Sequence, residues 1–282
     1  MTRLALVVNP KSGQDRDHDQ IVRDIERAGA EVERVALQER ERVIELQPDR
    51  VAVAGGDGSI ACVAELAARL HVPLAVIPAG TANDFARVME LPLDLDEAAA
   101  LAATGTHTRR LELGRANASR SFVNVASAGL AVHAARRASG WKAALGPVAY
   151  FAGAVDAGVR ARPVEAHITC DDHELHEGPA WQIIVSSSGA FGAGSQIDEA
   201  DPSDGKTDVT VVEAGSRVKL ARRAHGLRTG RINAQPGVHH ARGEVVTVTF
   251  TRGGDWNVDG EIVALGNARF EMLSDAYDLV TG

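Results

Sequence analysis

The chain has 282 residues, which is enough for one large domain or two ordinary ones. Its apolar fraction of 45% and charged fraction of 24% are typical of a globular protein, and its net charge of −8 argues against a nucleic-acid-binding function. The two cysteines, Cys62 and Cys170, are far apart, which argues against a CxxC metal site or a disulfide framework and favours a reducing compartment.

No segment has the pattern of a signal peptide or a membrane span. The apolar run at residues 4–8 is too short for a signal peptide. The longest apolar stretch, residues 143–159, is interrupted by Gly146-Pro147 and carries Asp156, so it is too short and too broken to cross a bilayer. The sequence therefore predicts a cytoplasmic protein.

The first third of the chain alternates short apolar runs with helical patterns. Apolar runs predict strands at residues 4–8, 51–54 and 74–77, the first of them buried on both faces, and residues 32–37 are a further strand candidate. Apolar residues at helical spacing predict helices at about residues 21–28, 43–46, 60–70, 84–89 and 94–103. Strands alternating with helices in this way indicate an α/β domain with a parallel sheet.

From about residue 109 the pattern changes to short strands. These are predicted at residues 111–113, 122–125, 167–170, 182–185, 208–212, 245–250 and 270–273. Two helical patterns interrupt them, at residues 141–159 and 218–230, whereas His239-His240 is expected in a loop. This half is therefore predicted to be a mainly antiparallel β domain, with the domain boundary near residues 106–120.

Three glycine-containing turns follow the first, third and fourth predicted strands. Because the carboxyl ends of parallel strands meet at one edge of a sheet, we expect the three turns to lie together there. Glycines let backbone N–H groups approach phosphate oxygens, and Ser12, Ser59 and Thr81 add hydroxyl groups at the same edge. The turns are Asn9-Pro10-Lys11-Ser12-Gly13, Gly55-Gly56-Asp57-Gly58-Ser59 and residues 78–84.

Two carboxylates in these turns, Asp57 and Asp84, suggest a divalent cation. A carboxylate beside a polyphosphate is repelled unless a cation lies between them, which favours Mg²⁺ and a nucleotide such as ATP. The pattern is neither a GxGxxG dinucleotide fingerprint nor a GxxxxGK[ST] loop. One such turn would be weak support for a phosphate site, and three on one sheet edge are much stronger.

The motifs together resemble the diacylglycerol kinase catalytic-domain family, in particular its bacterial lipid kinases. The likeness is carried by residues 9–13, 53–59, 77–87, 122–129 and 258–261, in the family's order along nearly the whole chain. It implies an α/β ATP-binding domain over residues 1–115, with a last strand at about 274–282 returning to it. It also implies a β-sandwich lipid-substrate domain over residues 116–273.

The resemblance assigns roles to residues that would otherwise read as turns. Residues 258–261 alone predict a hairpin turn, but the likeness makes Glu261 the general base that deprotonates a lipid hydroxyl, with Asp57 and Asp84 holding Mg²⁺. The acidic segment 198–208 alone predicts a solvated loop. The likeness makes it a second Mg²⁺ site, with the Asp204 carboxylate and the backbone carbonyls of Asp201 and Lys206 as ligands.

The predicted activity is ATP-dependent phosphorylation of a membrane lipid, with diacylglycerol ahead of a sphingoid base or phosphatidylglycerol. A peripheral contact with the anionic inner face of the membrane is expected from basic and aromatic residues of the second half. Against full activity, Ala61 and Cys62 replace polar residues usual in the family. An NAD kinase-like phosphotransferase and a non-catalytic nucleotide-binding module stay open as alternatives. The docking residues are Arg136, Arg137, Lys142, Lys219, Arg222, Arg223, Arg228 and Arg231, with Trp141, Tyr150 and Phe151.

Overall fold

The architecture of the chain follows from a computed structural model. It describes residues 1–10, 18–80, 82–139, 162–188, 201–216, 220 and 232–282, with the backbone alone for 137–139. The chain divides into two compact units. Unit 1 comprises Met1–Leu113 and Leu273–Gly282, and unit 2 comprises Gly114–Met272. The predicted helices at residues 141–159 and 218–230 lie outside the described residues, except for Leu220.

Unit 1 contains a parallel sheet with the strand order β2-β1-β3-β4. The strands are β1 Arg3–Val8, β2 Glu31–Ala36, β3 Arg50–Gly55 and β4 Leu74–Pro78, at the four predicted places. The helices are α1 His18–Arg27, α2 Arg42–Leu46, α3 Asp57–Leu70, α4 Asp84–Val88 and α5 Leu95–Thr104. The predicted parallel α/β domain is thus confirmed.

Helix α5 is fixed at both ends by polar side chains. The Asp94 carboxylate accepts hydrogen bonds from the amides of Asp96 and Glu97 and caps the first turn. At the other end the Arg50 guanidinium donates to the carbonyls of Ala102 and Gly105, at 2.5 and 2.6 Å. Burial lowers the pKa of Arg50 from its ordinary value. These contacts hold α5 against the sheet that carries the glycine turns.

Unit 2 contains a mainly antiparallel β domain. Its strands are β6 Arg120–Phe122, β7 Val125–Gly129, β8 Val164–Cys170, β9 His173–Ser186, β10 Thr207–Glu213, β11 Val238–Gly243, β12 Val245–Phe250, β13 Trp256–Val258 and β14 Glu261–Val263. Helix α6 spans Leu130–Ser139. The strand order is β14-β13-β7-β9-β8-β12, and β10 pairs with β9 and β11. The core of this unit centres on Phe122, Trp256 and Phe270, whose rings pack edge to face.

Two long strands have residues in both units. They are β5 His107–Ala116 and β15 Ala268–Thr281. Residues 268–271 of β15 pair antiparallel with β12, and Leu279 pairs parallel with Leu74 of β4. The units divide at residues 113/114 and 272/273, against the predicted boundaries of 115/116 and 273/274.

The structure corrects three details of the sequence reading. Helix α3 begins at Asp57 rather than at Ile60, so the Gly-Asp-Gly turn forms its first turn. The single strand expected at residues 122–125 is two strands separated by a bend at Val123-Asn124. His239 and His240 lie on strand β11, where they pair with Val211 and Thr210, and not in a loop.

Candidate active site

The amino end of α3 carries the main glycine turn of unit 1. Gly56 is extended, with φ −95° and ψ −178°, and its carbonyl accepts the amides of Ser59 and Ile60. The first amides of a helix have no acceptor within the helix. Those of Asp57 and Gly58 therefore stand at the positive end of the α3 dipole, which favours a phosphate group.

A second turn, described at residues 78–80 and 82–84, packs directly on the first through Gly80. A Cβ at Gly80 would lie 2.6 Å from Gly56 Cα and 3.2 Å from Gly56 N, so only glycine fits there. Asn83 shapes this turn with φ 53°, which asparagine tolerates. Its Oδ1 accepts the Gly80 amide at 2.9 Å, and its Nδ2 donates to the Pro78 carbonyl at 3.1 Å.

Asp57 joins the two turns through its carboxylate. Oδ1 accepts the amide of Phe85 at 2.9 Å and Oδ2 accepts the amide of Asp84 at 3.4 Å, so the side chain binds the amino end of α4. The structure thus brings Asp57 and Asp84 together, as predicted from the parallel sheet. A carboxylate has about four lone-pair sites, so Asp57 keeps acceptor capacity for a metal ion or its water.

The first turn contributes Asn9 to the same region. Its Nδ2 donates to Ser59 Oγ at 2.9 Å, and its amide donates to the Ala54 carbonyl. Pro10 follows and is exposed. The remaining predicted nucleotide-binding residues of these turns, Lys11, Ser12, Gly13 and Thr81, lie outside the described residues.

In unit 2 the hairpin turn at residues 258–261 is built on Asp259. Asp259 and Gly260 have φ 45° and 88°, which are the two positive values of a type I′ turn. Asp259 is 8% exposed. Its Oδ2 accepts the amide of Val123 at 2.8 Å, and its Oδ1 accepts those of Asn124 and Val125 at 3.0 and 2.9 Å. These three hydrogen bonds produce the bend between β6 and β7.

Glu261 follows this anchored turn and is the predicted base. Its side chain is 59% exposed, and its Oε2 accepts a hydrogen bond from Arg120 at 2.5 Å. The rigid turn sets the backbone of Glu261, and the guanidinium sets the direction of its carboxylate. A carboxylate held by one oxygen keeps the other available to accept a proton.

The predicted second metal site, the loop at residues 201–206, has its carboxylates engaged by protein groups. Asp201 Oδ1 accepts the amide and the hydroxyl of Ser203, at 3.0 and 2.6 Å. Asp204 Oδ1 accepts the amide of Lys206 at 2.9 Å. Asp204 also forms an ion pair with Arg242.

Comparison with known proteins identifies the family. Residues 3–116 match the family described as diacylglycerol kinase catalytic domain, and residues 124–281 match the YegS C-terminal NAD kinase beta sandwich-like domain. The chain belongs to the diacylglycerol kinase family. A protein of Staphylococcus saprophyticus named diacylglycerol kinase is 28% identical over 273 residues, covering 92% of this chain and 88% of its own. One of Staphylococcus epidermidis with the same name is 27% identical over 293 residues, covering 99% and 92%.

Solved structures share the fold. A putative diacylglycerol kinase from Bacillus anthracis superposes with a TM-score of 0.82 at 22% identity, covering 100% of this chain and 95% of the other. Yeast NADH kinase complexed with NADH superposes with a TM-score of 0.52 at 11% identity, covering 99% and 82%. The second likeness shows that this NADH kinase shares the fold.

The structure adds three residues, one in unit 1 and two in unit 2, to the candidate functional residues that the sequence pointed to. Asn83 was predicted only as part of a turn, although asparagine beside glycine is a signal for a left-handed residue. Asp259 was predicted only as a turn residue, and Arg120 was not singled out. The partners of the last two are 134 to 141 residues away in the sequence, so no local pattern could reveal them.

Most of the predicted membrane-docking residues lie outside the described side chains. Arg136 is described and pairs with Asp255. Among the described residues, no helix is long and apolar enough to span a bilayer.

Proposed function

We propose that this kinase-family protein transfers the γ-phosphoryl group of ATP to the hydroxyl group of a membrane lipid, with diacylglycerol as the first candidate and phosphatidic acid as its product. The observation that supports the proposal most strongly is the exposure and fixed orientation of the Glu261 carboxylate. Its exposed carboxylate stands on a turn that Asp259 anchors, and Arg120 orients it. An exposed, oriented carboxylate is suited to an acceptor that arrives from outside the protein.

The nucleotide half of the proposal rests on unit 1. The first amides of α3 favour the phosphates of ATP, and the close contact of Gly56 with Gly80 holds the two glycine turns together. The buried Ser59 braces the first of these turns by accepting a hydrogen bond from Asn9. Asp57 and Asp84 would hold Mg²⁺. Among the described residues they do not belong to a cluster of three or more metal-ligating side chains. That fits a Mg²⁺ ion that takes most of its ligands from phosphate oxygens and water. When bound, the ion would neutralise charge on the transferred group.

The acceptor half rests on unit 2. The lipid hydroxyl attacks the γ-phosphorus as the bond from that phosphorus to the β,γ-bridging oxygen breaks, and ADP leaves with the bonding electrons. The hydroxyl proton passes to the carboxylate of Glu261, which later releases it to water. Arg120 keeps the carboxylate in one orientation during the transfer, which limits the entropy lost on reaching the reactive arrangement.

The Glu261→Gln variant tests the assigned base. The amide keeps the size of the side chain but cannot take the proton, so turnover should fall by about 10²–10⁴-fold while ATP affinity is unchanged. Glu174→Gln is a matched control, since the Glu174 side chain is 61% exposed and pairs with His167 rather than with an arginine. Wild-type turnover in Glu261→Gln would refute the role of this residue, while ATP binding would still report on the nucleotide half.

We also propose a location at the inner, anionic face of the cytoplasmic membrane, reached by peripheral contact. The support is the lipid acceptor itself, together with the cluster of basic residues Lys219, Arg222, Arg223, Arg228 and Arg231 in the sequence. Co-sedimentation with vesicles should increase with the fraction of anionic lipid and fall with salt. Equal binding to neutral and anionic vesicles would refute the electrostatic contact.

A further inference from the structure

A chain of charged groups links the loop at residues 201–206 to strands β10 and β11. Arg242 lies on β11, directly opposite Asp208 of β10 in the antiparallel register. Its guanidinium forms an ion pair with Asp204 of the loop, and its Nε lies 3.6 Å from Asp208 Oδ2. One arginine therefore bridges a loop carboxylate and a strand carboxylate.

The strand carboxylate needs this compensation because it is almost fully buried. The Asp208 side chain is 1% exposed, and its Oδ1 lies 3.1 Å from His240 Nε2. A buried carboxylate is costly unless it is paired and hydrogen-bonded. Arg242, with a side chain 33% exposed, supplies a permanent positive charge at the point where Asp204 and Asp208 both require one.

The position of Arg242 is fixed by its neighbour. A Cβ at Gly243 would overlap the Asp171 carboxylate and lie 2.6 Å from Cys170 Sγ, so β11 sits tightly against the turn between β8 and β9. Asp171 Oδ1 also accepts the amide of Val245, the first residue of β12. The backbone at Arg242 is therefore held in place, which fixes where its guanidinium group can reach.

A divalent cation does not fit this arrangement. A metal ion bound to the Asp204 carboxylate would be in direct contact with a guanidinium of the same sign, and the other Asp204 oxygen already accepts the Lys206 amide. We propose that Arg242 takes the place of the Mg²⁺ ion expected at Asp201, Asp204 and Lys206. The loop is then held on β10 and β11 by an internal cation, independently of metal. This inference does not depend on which acceptor is phosphorylated.

The wild-type protein gives the first test. The full chain, free of nucleotide, is melted in EDTA and in millimolar Mg²⁺, and Mn²⁺ binding is counted by electron paramagnetic resonance. We expect the same melting temperature in both solutions, and the same Mn²⁺ count for wild type and Asp204→Asn. Stabilisation by Mg²⁺ that Asp204→Asn removes would show that a metal ion, not Arg242, holds the loop, and would overturn the proposal.

The Arg242→Gln variant gives the second test. Loss of the guanidinium removes the positive charge that Asp204 and the buried Asp208 share, so the melting temperature in EDTA should fall by about 5–10 °C. Millimolar Mg²⁺ should then restore part of the loss, and the variant should bind one more Mn²⁺ than wild type. Arg269→Gln is the matched control, because Arg269 pairs with Glu271 at 3.5 Å in an exposed contact. Unchanged stability of Arg242→Gln in EDTA would overturn the proposal. If that variant fails to fold, the wild-type and Asp204→Asn measurements decide.

Discussion

Two acidic residues of one hairpin turn are expected to have different roles. Asp259 should be needed for folding, and Glu261 should be needed for catalysis. The Asp259 carboxylate accepts three backbone amides at 2.8 to 3.0 Å in a site where the residue is 8% exposed. Removing it leaves two buried N–H groups and one partly buried N–H group without that acceptor. Glu261 makes an exposed contact with Arg120, which contributes little to folding.

The loss in the free energy of unfolding of Asp259→Ala follows from these contacts. A buried amide without an acceptor costs about 1–3 kcal/mol. Alanine at a φ of 45° adds roughly 1–2 kcal/mol, since only a few residue types tolerate left-handed backbone. Water entering at the hairpin offsets part of the sum, so we expect a loss of about 3–5 kcal/mol, a large share of ordinary domain stability.

Urea denaturation followed by circular dichroism measures this difference. The midpoint for unit 2 should fall by about 1.5–2.5 M in Asp259→Ala, given a typical slope of about 2 kcal/mol per molar urea. Glu261→Gln should stay within about 1 kcal/mol of wild type. If Asp259→Ala unfolds at the wild-type midpoint, or if Glu261→Gln is the less stable variant, the separation of roles is refuted.

Three further predictions follow from the described contacts. Gly80→Ala should lower the free energy of unfolding by about 1–3 kcal/mol and weaken ATP binding, because the new methyl group overlaps Gly56. An ATP affinity that calorimetry finds unchanged would contradict the role of this glycine contact. Arg50→Met should lower stability by about 1–2 kcal/mol through the lost cap of α5, and an unchanged urea midpoint would contradict that role. Iodoacetamide should modify Cys62 well before Cys170. Burial, and then the nearby carboxylates of Asp171 and Asp208, raise the pKa of Cys170, so less of this residue is thiolate near pH 8. Mass spectrometry locates the label, and faster labelling of Cys170 than of Cys62 would contradict this prediction.

The elements that the sequence predicted well are those whose burial shows in a short window. Strands β1, β3 and β4 are nearly continuous apolar runs because both faces of the sheet are covered. Helix α1 places Ile21 and Ile25 on one buried face. In such segments the local pattern and the tertiary structure require the same residues.

The elements that were missed lack such a pattern. Strand β11 has mostly half-buried residues, and its His239 and His240 carry no apolar alternation. Helix α6 follows Gly129, whose φ of 99° lets β7 turn into a helix. A glycine after a strand usually indicates a turn, so the helix that follows Gly129 was not predicted.

The candidate functional residues also fall into pairs that could be predicted from the sequence and pairs that could not. The meeting of Asp57 and Asp84 follows from strand order, because the turns after neighbouring parallel strands share one edge. The pairing of Arg120 with Glu261, and of Arg242 with Asp204, depends on residues far apart in the chain. Such pairs are set by the strand register of unit 2, which a single sequence does not specify.

Phosphoryl transfer from ATP to a lipid hydroxyl can be measured by following the label of γ-³²P-ATP. The purified chain is incubated with Mg²⁺ and vesicles that contain diacylglycerol, a sphingoid base or phosphatidylglycerol, and in parallel with NAD and NADH. We expect label in a lipid product, first in phosphatidic acid, and loss of that label in Glu261→Gln. Label in NAD or NADH and in no lipid, or ATP binding without transfer to any acceptor, would contradict it.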